Sequence, residues 1–180
     1  MMKSPWSLRD YVFAAFMTIG MVASIFVIGP LVPVPFLQLV AWAPFGGIFL
    51  TLGMARLQRR GSVALMIIPL ALLLAPLSPA ITLYLVLTVF VTEAVVYLRG
   101  NYRPKANRLL GNVVFFASAI AIGLPSAALM VGGVFAELLT KPWLIVGLAI
   151  AAAVTGAIGW WLGEKIVSQL RRAGKLDADS

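Results

Sequence analysis

The sequence predicts an all-α integral membrane protein with six transmembrane helices and both termini in the cytoplasm. Three observations carry that expectation. Hydrophobic residues fill 62% of the 180 positions and charged residues only 11%, where a soluble domain would have about a quarter charged. The mean hydropathy is +1.02. Apolar runs recur at close to the ~20 residues that cross a bilayer. Cations gather in short groups between those runs, and with the amino terminus inside, thirteen of the fourteen Lys and Arg fall on the cytoplasmic side, Lys141 alone lying outside. That is the positive-inside pattern.

The elements follow in order within a single transmembrane domain, residues 1–180. Residues 4–10 form a short lead-in in which Ser7-Leu8-Arg9-Asp10 resembles a capping box with Asp in place of Glu. The first span covers about residues 11–29. It is too long for a signal-peptide core and leads into prolines rather than a small-residue cleavage site. GPLVPVP, residues 29–35, has prolines too closely spaced for a helix. The second span, about residues 36–57, ends at Arg56, Arg59, Arg60 and Gly61. The third, about 62–77, is short and carries Pro69, which predicts a kink or tilt. Ser78-Pro79 reads as an N-cap with proline at the first helical position and opens the fourth span, about 79–98. Gly100 and Asn101 then stop the helix, and Asn107 is placed to cap the fifth span, about 107–129. Residues 130–141 form the longest break on their side. Pro142 opens the sixth span, about 142–166, and 167–180 is a polar tail expected to fray.

The chemistry this sequence leaves open is narrow. With no Cys and no His, thiolate and imidazole metal sites, Cys and His nucleophiles and disulfides are excluded. There is no G-x4-G-K-[ST] loop to hold ATP, no G-x-S-x-G elbow and no H-E-x-x-H pair. The acids Asp10, Glu93, Glu137, Glu164, Asp177 and Asp179 offer no intramembrane pair, so the residues point away from an enzyme, and none implies a cofactor. The net charge of +8 is distributed for lipid headgroups and topology rather than nucleic acid.

Glu93 is the one acid inside an apolar run, six residues before Arg99, about 9 Å from the cytoplasmic end. An ion pair with a loop arginine, or contact with a cytoplasmic partner, is expected there. Small residues recur in the sixth span at Ala149, Ala153 and Ala157, then Gly159 and Gly163, and in the first at Ala14 and Thr18, spacings that let helices approach closely. On the outer side Gln38 and Trp42 share a helix face, with Tyr84, Ser126, Glu137, Lys141 and Trp143 at the same level. Aromatic walls with a few polar groups are the usual make-up of a small-molecule site. The plainer readings are an interfacial aromatic belt and a local Glu137–Lys141 pair.

Three stretches carry a family likeness: Leu8-Arg9-Asp10, TEAVVYLRGNYRPKANRLLGNVVFF from Thr92 to Phe116, and TGAIGWWLGEKI from Thr155 to Ile166. With six short spans, they resemble the substrate-binding S components of energy-coupling factor (ECF) transporters, most similar to the Trep_Strep family. The resemblance implies a transmembrane T component and two cytoplasmic ATP-binding-cassette ATPases as partners. It also implies a small-molecule substrate captured from outside: a vitamin, a precursor or a larger cofactor-like molecule. S components touch the T component through an A-x-x-x-A pattern on the first helix, for which Ala14-x-x-x-Thr18 is the nearest equivalent. Nickel and cobalt S components carry a His after the initiator Met. Met2 stands here, which argues against a bare transition-metal ion. A membrane scaffold and a stand-alone carrier are the alternatives, the latter requiring polar groups at the bilayer midplane.

Overall fold

A computed structural model describes residues 6–174. Lys3, Lys175 and the acids Asp177 and Asp179 lie outside the described residues, as does the expected 167–180 tail from residue 175 on; residues 167–172 of that tail do not fray but continue the last helix, with Val167 buried. Among the described residues there are seven α-helices: α1 Leu8–Ile28, α2 Pro35–Leu57, α3 Ser62–Leu74, α4 Pro79–Arg99, α5 Lys105–Met130, α6 Val134–Leu139 and α7 Pro142–Arg172. Five of them, α1, α2, α4, α5 and α7, are long and apolar enough to cross a membrane. The outer surface is apolar, with Phe16, Phe26, Leu72, Phe90 and Ile150 all exposed. A soluble protein would not expose that surface to water; the chain is a multi-pass membrane protein. The third apolar segment is the exception in length: α3 has 13 residues, about 20 Å at 1.5 Å per residue.

Local chemistry explains most boundaries. Ser7 and Asp10 form the reciprocal capping box that starts α1, satisfying donors the helix itself cannot. Ser78 accepts from the Ile81 N–H, and Pro79 occupies the first position of α4. Gly100, at φ 116°, ends that helix, a conformation glycine adopts without strain. The proline-rich segment differs from expectation in part. Gly29–Leu31 makes one 3-10 turn and Pro35 is the first residue of α2, because proline's missing N–H is harmless in a first turn. Residues 130–141, the long break between spans, contain α6. Asn107 does not cap α5, which begins at Lys105. Its amide instead donates to the carbonyls of Arg99 and Asn101, tying α5 back to the end of α4.

Helices α2 and α5 are central, each packing against α7 and against each other. The α2–α7 crossing is close because it is built on glycine. A Cβ at Gly159 would lie 2.6 Å from the Pro44 carbonyl oxygen, and one at Gly163 would lie 2.7 Å from the Thr51 Cβ. The buried face of α7 is therefore Ala152, Gly156, Gly159 and Gly163. Ala149, Ala153 and Ala157, the first part of the expected small-residue stripe, lie only half-buried beside it. Nearby, Trp42 meets Phe116 edge-on, ring centroids 5.6 Å apart, a favoured aromatic geometry.

Candidate ligand cavity and the polar clamp opposite it

Polar contacts collect at one end of the bundle, called here the basic end. It holds the start of α1, the loops at residues 58–61 and 100–104, and the last part of α7. Glu93 on α4 accepts from the backbone N–H groups of Gly61, Val63 and Ala64 at 2.9, 2.9 and 3.2 Å. The carboxylate thus closes the N-terminus of α3, where four N–H groups have no partner in their own helix and the dipole favours a negative charge. Glu93, expected to pair with a loop arginine or to meet a cytoplasmic partner, is engaged here by backbone N–H groups at the start of α3. Gly61 leads into α3 with no capping side chain of its own, so the acid from the neighbouring helix serves instead. Arg99 is exposed, at the last turn of α4.

The second part of the clamp is a buried ion pair between α5 and α7. Arg108, counted by sequence among the loop cations, is fully buried. Its guanidinium meets Glu164 of α7 at two points, Nε to Oε1 at 2.5 Å and Nη2 to Oε2 at 3.1 Å. Its remaining nitrogen donates to the carbonyls of Tyr102 and Arg103. Bidentate pairing with the leftover donors satisfied is the arrangement in which a buried ion pair is tolerated. Tyr102, wholly buried, donates its backbone N–H to Gln58 at the end of α2. Burial first, and the Glu93 charge after it, push its phenol above the ordinary tyrosine range. Arg60 donates to the Gly100 carbonyl and stacks on Tyr97, 4.1 Å from the ring centroid. The basic end is thereby laced together from α2 to α7.

The opposite, or far, end is different. Two adjoining cavities lie there, of about 270 and 290 Å³. They share Leu39, Ile81, Tyr84 and Ala119 as walls. The first reaches Ser78 at the α3–α4 turn and Phe135 of α6, so inter-helix segments close over it. The second runs deeper, to Trp42, Ile67 and Phe115.

Of the residues expected at an outer mouth, the structure brings Trp42 and Tyr84 together on the second cavity. Trp42 is buried, and its indole N–H donates to the Ser24 hydroxyl at 2.7 Å. Gln38 donates to the Val32 carbonyl at 3.1 Å, bracing the segment before α2, and lines neither cavity. Ser126 is half-buried on α5, while Glu137, Lys141 and Trp143 are exposed, and none of the four lines either cavity. Ala14 is turned into the bundle at 2% exposure, which corrects its expected place on a docking face: it has no area to offer. Thr18 beside it donates to the Met66 carbonyl at 2.7 Å, joining α1 to α3. Thr18 also lines an outward-facing groove of about 600 Å³ between α1 and α3, with Ala15, Ile19 and Ala23.

No family model and no curated protein matches the sequence. Among solved structures, the crystal structure of an S-component of an ECF transporter is similar with a TM-score of 0.57 and 18% identity, covering 96% of this chain and 89% of that one. The chain has the S-component fold. That likeness extends over both ends of the bundle, so the laced basic end and the hollow far end belong to one S-component-like body rather than to an appended unit.

Proposed function

We propose that the chain is the substrate-capture component of an ECF-type importer. In this reading the basic end faces the cytoplasm and six segments, the short α3 included, cross the prokaryotic plasma membrane. A small molecule then enters the far-end cavities from outside. The observation that carries the reading is the asymmetry within a chain-long S-component fold: cavities at one end, and at the other a buried ion pair and a capped helix that tie the helices together. In this reading a solute bound at the far end is passed inward with the help of a T component and two ATPases. The chain's assignment to the Trep_Strep branch is part of this proposal and rests on the sequence likeness alone.

The groove between α1 and α3 is the proposed seat of the T component. Ala15, Thr18 and Ala23 keep its floor low, and low floors let a partner helix come close. Exposed Tyr11, Phe16 and Ile19 flank or extend that face. The tagged chain, co-expressed with a T component and two ATPases, is expected to copurify with all three. Ala15→Trp fills the groove and is expected to abolish capture while leaving the melting temperature within a few degrees of wild type. Failure of the wild-type chain to capture the module would contradict the reading, and capture by Ala15→Trp equal to wild type would remove the groove from it.

A further inference from the structure

The walls of the far-end cavities are almost entirely carbon. Their few polar atoms are mostly committed elsewhere: the Trp42 N–H to Ser24 and the Ser78 hydroxyl to the Ile81 N–H. The hydroxyl of Tyr84, on the shared wall of both cavities, makes no hydrogen bond to the described residues. No charged side chain lines either space. A solute bearing a formal charge would give up its hydration there and find no counter-charge, a loss no apolar contact offsets.

Access points the same way. Helices α1 and α4 do not pack on each other, and the second cavity is the space between them, walled by Val22 and Phe26 on one side and Ile81 and Tyr84 on the other. Phe26 and Ile81 also reach the apolar outer surface, at 75% and 37% exposure. With the far end outermost, a molecule that reaches the acyl chains of the outer leaflet from outside therefore meets the cavity through its side. The two volumes stand near the lower limit of about 300 Å³ for small-molecule sites, which suits a compact ligand.

We propose that the captured ligand is a neutral, mainly apolar molecule of one or two rings, carrying a single hydrogen-bonding group that meets the Tyr84 hydroxyl. This rests on the far-end cavities being the capture site of an S component, and it narrows that site's substrates to uncharged, membrane-soluble compounds.

The test uses the full chain in lipid nanodiscs and native mass spectrometry, with 2-naphthol as the neutral probe and 2-naphthoate and protonated 2-naphthylmethylamine as ions on the same rings. A saturable one-to-one adduct is expected with 2-naphthol and none with either ion. Tyr84→Phe should weaken the adduct about fivefold, the effect of one ordinary hydrogen bond. Ala119→Trp, on the shared wall, should abolish it. Ile81→Trp fills the same space from a partly exposed position and should do likewise even if the first variant folds poorly. Equal binding of an ion, absence of a saturable 2-naphthol adduct, or an adduct that survives both filling variants overturns the proposal. Capture of a T component and ATPases is scored on the same preparation. Assembly together with ion binding refutes the ligand class and keeps the importer reading, whereas a neutral adduct without assembly does the reverse.

Discussion

Arg108→Met is expected to destabilise the fold by about 3–5 kcal/mol, the usual effect of removing one partner of a buried ion pair. Glu164 would keep its charge at 9% side-chain exposure with no cation against it, and the carbonyls of Tyr102 and Arg103 would lose their donor. Glu164→Leu should cost about as much for the converse reason. The double variant Arg108→Met, Glu164→Leu should recover most of the loss, because a buried pair replaced by apolar side chains of similar volume is often neutral. A denaturant-unfolding double-mutant cycle in detergent measures this directly. Single losses below about 1 kcal/mol, or additive effects with no coupling, would mean that the pair does not hold α5 to α7.

The second large effect is expected at Glu93. Glu93→Ala leaves three N–H groups at the start of α3 without their acceptor. Bonds to a charged group contribute about 1.5–3 kcal/mol each, and water at the membrane surface takes over part, so a loss of about 2–4 kcal/mol is expected. Glu93→Gln retains one carbonyl oxygen and should lose roughly half as much. Ligand binding at the far end should be unchanged in both, since the clamp and the cavities occupy opposite ends. A drop in affinity at unchanged stability would place Glu93 in the binding machinery and contradict this assignment.

What could be read from the sequence was local. Apolar runs marked the long helices, and Ser7, Ser78, Pro79 and Gly100 set their ends through backbone chemistry that a few neighbouring residues determine. Tertiary choices were hidden. Nothing adjacent in sequence says that Arg108 turns inward while Arg103 and Lys105 stay exposed. The one available signal was Glu164, a lone acid near the end of the last span. The small-residue stripe on α7 was visible, but its buried edge depends on where α2 crosses, so Ala152 and Gly156 complete the face in place of Ala149 and Ala153. Ala14 likewise looked like a docking residue by spacing and is taken up by the core. The cavities were the least legible part. Their walls are mainly Leu, Ile, Phe and Ala, indistinguishable in sequence from lipid-facing residues, whereas the polar and interfacial Glu137, Lys141 and Trp143, which stand out in the sequence, line neither cavity.

On the proposed function, this chain captures a solute and does not move it uphill alone. The most direct test is uptake into liposomes of the solute that native mass spectrometry finds bound to the purified chain. The chain alone should bind that solute from the outer face without accumulating it. Accumulation should appear when a T component and two ATPases are added, and should stop when ATP hydrolysis is blocked. Accumulation by the chain alone, driven by a proton or sodium gradient, would contradict the account and make the protein an independent carrier.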